Sequence, residues 1–144
     1  MGKLRSVSTS FWSDPFIEDL STSEKLLYLY FITNERTNML GAYELSIKKM
    51  SFETGIDKAT IKKALQRFEE ANKVVYSKNY VLLINFVKHQ KYNPNMKKSA
   101  VEVYKELPNE LKDSTLYLDD LKPSEAFERV LKALGMVRKI EVED

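Results

Sequence analysis

The chain of 144 residues has no cysteine and a single histidine, His89. The first absence removes disulfides and thiol catalysis and fits a reducing compartment. Together the two leave no ligand set for a structural zinc ion. Glycine is scarce as well. With only Gly2, Gly41, Gly55 and Gly135, there is neither a G-x-x-x-x-G-K-[ST] loop to cradle phosphate nor a G-x-G-x-x-G turn. No apolar run approaches the roughly 18 residues of a membrane span. The opening MGKLRSVSTS lacks the apolar core of a secretory signal, although it formally matches the short myristoylation pattern M-G-x-x-x-[ST]. The paired carboxylates Glu69-Glu70 and Asp119-Asp120 are adjacent in sequence and do not converge as an acid/base pair would. These absences lead to the expectation of a cytoplasmic chain that is not an enzyme, with no catalytic residues, cofactor, metal or membrane partner.

What the chain does have is charge, unevenly placed. Its net charge is +2, but residues 1–44 carry −2, residues 45–98 carry +8 and residues 99–144 carry −4. A basic block between acidic ones is the electrostatic footprint of a nucleic-acid surface. A chain of this length can bury roughly two-thirds of its unfolded surface and so folds without staples.

Local signals divide the chain into elements. FWSDPFIEDL is turn-rich at Ser13-Asp14-Pro15, and Pro15 forbids a regular helix through it. STSEKLLYLYFIT opens with Ser21-x-x-Glu24, a capping box, and places Leu26, Leu27, Tyr30 and Phe31 on one face, widened by Leu29 and Ile32. The polar TNERTN ends that helix, and LGAYEL suits a brief strand of four or five residues. Ser46 caps a short helix with Ile47, Met50 and Thr54 on one face, closed by Gly55 in the left-handed conformation. Asp57 then caps a helix from Lys58 to about Asn72, whose apolar face is Ile61, Ala64, Leu65, Phe68 and Ala71. KVVYSKNYVLLINFV reads as a hairpin turning at Lys78-Asn79. The order is that of a winged helix-turn-helix: a mainly α fold with a small β-hairpin as the wing, followed by additional C-terminal helices. The expected organisation is this domain with an N-terminal arm over 1–92, a basic joint and helix over 93–107, and an acidic connector with a short helix, capped by Pro123 and Gly135, over 108–144.

The stretches FWSDPFIEDLSTSEKLLYLYFITN, GAYELSIKKMSFETGIDKATIKKALQRFEE and FVKHQKYNPNMKKS resemble the N-terminal winged-helix domain of phage replisome-organiser proteins, which is similar to that of DnaD-type primosomal proteins. The resemblance covers about residues 5–111 and rests on pattern rather than on one signature. It implies a DNA-binding replication-initiation protein of phage or prophage origin that self-associates into a homo-oligomer and helps recruit a helicase or helicase loader. Such proteins often carry a second C-terminal domain. The stretch to residue 144 is too short for one, so the expectation is a piece of a longer protein or a single-domain relative.

In a helix-turn-helix the second helix enters the major groove, its N-terminal residues reading bases. The candidate DNA-binding set on that helix is Lys58, Thr60, Lys62, Lys63, Gln66 and Arg67. Lysines suit phosphates or guanine edges, Gln66 adenine, and Arg67 guanine or phosphate. Lys48 and Lys49 would clamp the backbone from the preceding helix, and Lys78 would reach it from the wing tip. The plain alternative is a solvated face. Against it, Lys58, Lys62 and Lys63 near the N-terminus and Glu69 and Glu70 at the far end oppose the macrodipole, and Lys63 and Arg67 form a like-charge i,i+4 pair. Phe11, Trp12, Phe16, Tyr28 and Tyr30 offer either a stacking platform for single strands or closure of the core, with Phe11, Trp12 and Phe16 the candidates for self-association. His89, between polar neighbours at a strand end, is read as a surface or packing residue. Duplex DNA is the expected partner, with single strands a second form. A protein-interaction winged helix and a transcriptional regulator are the alternative functions.

Overall fold

The computed structural model describes residues 2–84 and 94–107. The expectations for His89 and for the connector and helix over 108–144 lie outside the described residues. The chain begins with a 3-10 turn, η1 (Thr9–Ser13), and a one-turn helix, α1 (Pro15–Glu18). The break between them falls at Asp14, whose side chain caps α1 through the Phe16 amide at 2.8 Å. Pro15 occupies the first helical position, where its missing N–H costs nothing. α2 (Thr22–Thr33) starts in the expected capping box: Ser21 Oγ accepts from the Glu24 amide, and Glu24 Oε1 accepts from the Ser21 amide at 2.8 Å. Leu27 and Phe31 are fully buried, whereas Leu26 stays 44% exposed, so the buried stripe is narrower than the sequence suggests.

β1 (Ala42–Glu44), α3 (Ile47–Thr54), α4 (Lys58–Glu70), β2 (Val74–Ser77), β3 (Tyr80–Leu83) and α5 (Pro94–Glu106) follow. The described residues are thus helix-rich with one small three-stranded antiparallel sheet, ordered β1-β3-β2. Tyr43 pairs with Val81, and Tyr76 also pairs with Val81 from the other side. β1 is one residue shorter than the expected minimum. The β2–β3 hairpin turns through Lys78 (φ 53°) and Asn79 (φ 63°). Two successive left-handed residues are the mark of a type I′ turn, whose twist matches that of the strands. Asn tolerates this conformation well; lysine adopts it at some cost.

Helices α3 and α4 are joined by Gly55, Ile56 and Asp57. Gly55 has φ 78° and its amide bonds to the Ser51 carbonyl at 2.9 Å, closing α3. A Cβ there would meet nothing within 4 Å. Gly55→Ala is therefore expected to cost only the backbone strain of a left-handed residue, about 1–2 kcal/mol, measurable as a shift in urea midpoint at constant m-value. A larger loss would mean that the turn moves.

The core runs from the N-terminal segment to the sheet: Phe11, Ile17, Leu20, Leu27, Phe31, Leu45, Met50, Ile61, Phe68, Val74 and Val81 are all buried in one cluster. The TNERTN stretch is an organised loop rather than a plain polar connector. Asn34 Nδ2 donates to the Tyr43 hydroxyl at 2.9 Å, and Asn38 Oδ1 accepts from the Gly41 amide at 2.9 Å. Arg5, from the N-terminal arm, donates to both the hydroxyl and the carbonyl of Thr37 at 2.8 Å, which ties the arm down.

Candidate nucleic-acid interface

The face of α4 opposite Ile61, Ala64, Leu65 and Phe68 carries Lys62, Lys63, Gln66, Arg67 and Glu70, with Lys58 beside it in the first turn, and all six are exposed. The 3.6-residue period puts these side chains outward once the apolar ones face inward. Among the described residues, Lys58, Lys62 and Lys63 make no salt bridge. Three cations within two turns therefore lie open to solvent.

Two of the candidate residues are already engaged. The Thr60 hydroxyl donates to Asp57 Oδ1 at 2.7 Å and its amide to Oδ2 at 3.1 Å, so Thr60 belongs to the helix cap and is half-buried. Arg67 Nη1 donates to Glu24 Oε1 at 3.0 Å, and Nη2 to the Asp19 carbonyl at 3.1 Å. Glu24 Oε1 is the same atom that closes the α2 capping box. Arg67 thus ties α4 to the start of α2, and this ion pair answers the repulsion expected between Lys63 and Arg67.

The macrodipole also finds partial compensation. Asp57 sits at the N-cap of α4, and Arg67 lies in the last turn, each at the end that favours its sign. The Thr60 hydroxyl and amide hold the Asp57 carboxyl below its ordinary value of 3.8. A depressed carboxyl stabilises the fold fully above the unfolded value and loses that contribution as pH falls through the folded one. Asp57→Ala is accordingly expected to lower stability at pH 7 and to flatten the pH dependence of the thermal midpoint below pH 3.8. An unchanged acid limb would show that the cap is not formed in solution. Lys58, Lys62, Glu69 and Glu70 remain on the unfavourable ends of α4.

Lys48 and Lys49 are exposed on α3, and Lys49 Nζ approaches Glu53 only to 4.0 Å. Lys78 is exposed at the hairpin tip. That tip does not project freely: the Leu45 amide donates to the Asn79 carbonyl at 2.8 Å, and the Tyr76 hydroxyl donates to the Leu45 carbonyl at 2.7 Å. Leu45 directly precedes Ser46, the cap of α3, so Lys78 is brought towards the start of the helix that carries Lys48 and Lys49.

The N-terminal aromatics serve mostly the interior. Phe11 is buried and stacks on Tyr28 at 6.2 Å, while Phe16 meets Tyr28 at 5.7 Å and Phe68 at 6.0 Å. Burial, reinforced by Asp14, pushes the Tyr28 hydroxyl up to about 12. Of the three candidates for self-association, Phe11 is buried, Phe16 is half-buried and Trp12 is 60% exposed. Tyr30 donates its hydroxyl to Glu53, linking α2 to α3. Lys73 lies 5.2 Å above the Phe16 ring and covers its outer side.

One surface residue escaped the sequence reading. Phe52 of α3 is 85% exposed. Its signal was available, because position 52 falls off the face defined by Ile47, Met50 and Thr54. Among the described residues no group of acidic and histidine side chains is arranged to hold a metal ion, and no helix is long and apolar enough to cross a membrane. No family model, curated protein or solved structure matches the chain.

Proposed function

We propose that the chain is a winged helix-turn-helix DNA-binding protein, with α4 as the helix that enters the major groove and the β2–β3 hairpin as its wing. The observation that carries this reading is the open cationic face of α4. Lys58, Lys62 and Lys63 lie outward without salt-bridge partners among the described residues, on a helix held rigidly by its buried face. The element order, the tight Gly55–Asp57 turn and a β1-β3-β2 sheet support the same assignment. Lys48, Lys49 and Lys78 extend the positive surface, Gln66 is the candidate for reading adenine, and Arg67 acts chiefly to fix α4 on α2. The protein works by binding, as a cytoplasmic non-enzyme.

The role in replication initiation, through helicase or helicase-loader recruitment by a homo-oligomer, rests on the sequence resemblance to replisome organisers. Association is favoured independently by Trp12 and Leu26, which are 60% and 44% exposed, and these residues also support the second reading, a winged-helix assembly module. A duplex gel-shift titration against salt separates the two. Phosphate contacts from Lys48, Lys49, Lys58, Lys62, Lys63 and Lys78 would give a slope of log K against log salt of about −5, at roughly −0.9 per neutralised phosphate. Undetectable duplex binding at low salt, with self-association intact by sedimentation, would leave the assembly reading in its place.

A further inference from the structure

Phe52 is almost entirely bare, with 85% of its surface exposed, and its neighbours are cations. Lys48 and Lys49 precede it by four and three residues, which on a helix places all three side chains on one face a turn apart. Lys48 has no salt bridge among the described residues. The nearby acid, Glu53, accepts from the Tyr30 hydroxyl through Oε1 and meets Lys49 Nζ through Oε2 at 4.0 Å, so Lys49 is partly paired and Lys48 is the open cation of the two. The inward residues of α3 are Met50, which is buried, and Ile47, Ser51 and Thr54, which are half-buried. Among the described residues, helix packing therefore gives Phe52 no task.

A lone ring rimmed by lysines is a poor protein interface, since interface cores are contiguous, apolar and depleted in lysine. The same combination suits an unpaired nucleotide, whose base stacks on the ring while its phosphates meet the cations. We propose that Phe52, Lys48 and Lys49 form a stacking site for an unpaired base of single-stranded DNA. The choice of DNA rests on the DNA-binding reading above, but the site is on α3 and does not use the α4 face. Duplex would occupy α4 with Lys48 and Lys49 at the edge of its backbone, while a displaced strand would stack on Phe52 and share those two lysines.

The test uses the full chain and fluorescence anisotropy with oligo(dT), with an abasic strand of equal length, and with duplex. Phe52→Ala is expected to weaken oligo(dT) binding about 5- to 150-fold, the range for loss of one stacked base, with duplex affinity unchanged within about twofold. Phe52→Trp should retain binding, and the abasic strand should bind wild type and Phe52→Ala alike. Lys48→Gln and Lys49→Gln should each reduce the single-strand salt slope by about 0.7. Equal oligo(dT) affinity for wild type and Phe52→Ala would overturn the proposal. So would tighter binding of oligo(rU) than oligo(dT), or a fall in sedimentation mass of Phe52→Ala without DNA. A drop of several degrees in its thermal midpoint would place the ring in an intramolecular seat and overturn it too. If Lys62→Glu with Lys63→Glu spares duplex binding while Phe52→Ala loses oligo(dT), the α4 reading fails and this one stands. The reverse pattern retires this one alone.

Discussion

Replacing Phe68 by alanine is expected to cost about 3–5 kcal/mol, the usual loss for a fully buried aromatic. Phe68 has no exposed surface and is the ring on which three others converge. Tyr28 lies 5.4 Å away, Phe16 6.0 Å and Phe31 6.3 Å, each edge-on to it. Such pairs add about 0.5–1.5 kcal/mol beyond area burial, and a cavity among the three remaining rigid rings collapses poorly. Against a typical domain stability of about 5–15 kcal/mol, the loss is a large share of the total. Urea denaturation should show a markedly lower midpoint, whereas Phe68→Leu, which fills more of the space, should lose less. A cost below about 1 kcal/mol for the alanine variant would mean that the four rings do not form one core. The functional consequence is direct, because Phe68 joins α4 to α2 through Tyr28 and Phe31 and to α1 through Phe16. Without it, the lysines of α4 lose the rigid support that fixes their spacing.

How much of this was legible in the sequence depends on the range of the interaction. Caps and turns are written within four residues of one another, and they were readable. The Ser21–Glu24 box, Ser46, Asp57, the left-handed Gly55 and the Lys78-Asn79 turn all stand as expected. The run LLYLYFI defeated the periodic signal, because apolar residues on every face do not say which edge meets water; Leu26 proved to be outside. The sequence indicated a brief strand around Ala42 but not its pairing with β3, since that choice is made across a separation of about forty residues. Arg67 shows the same limit at the site. From its position on α4 it belongs with the exposed cations, and only the approach of α2 gives it Glu24 and the Asp19 carbonyl. Phe52 is the opposite case, since helical spacing alone would have placed it outward.

The placement of Arg67 determines how the proposed DNA-binding face should be tested. Reversing the charge at Arg67 would set a carboxylate against Glu24 and break the tie between α4 and α2, so loss of binding could follow from loss of structure. Lys62→Glu together with Lys63→Glu avoids this, because both side chains are exposed and neither makes a salt bridge among the described residues. If each lysine neutralises one phosphate, the salt slope should fall by about 1.8, or 0.9 per contact. At 0.1 M salt the two contacts together correspond to about a 60-fold change in affinity by the same relation. Carboxylates facing phosphate add repulsion to that loss, so about 60-fold is the lower expectation. Stability should change little, since a helix surface substitution away from caps and packing typically stays within about 0.5 kcal/mol. Glutamate near the N-terminus of α4 even suits the macrodipole. The discriminating result is therefore a double variant that melts like wild type yet has lost duplex affinity and part of its salt slope. Retained affinity in a folded double variant would remove α4 as the DNA-contacting helix, whatever the overall topology of the domain.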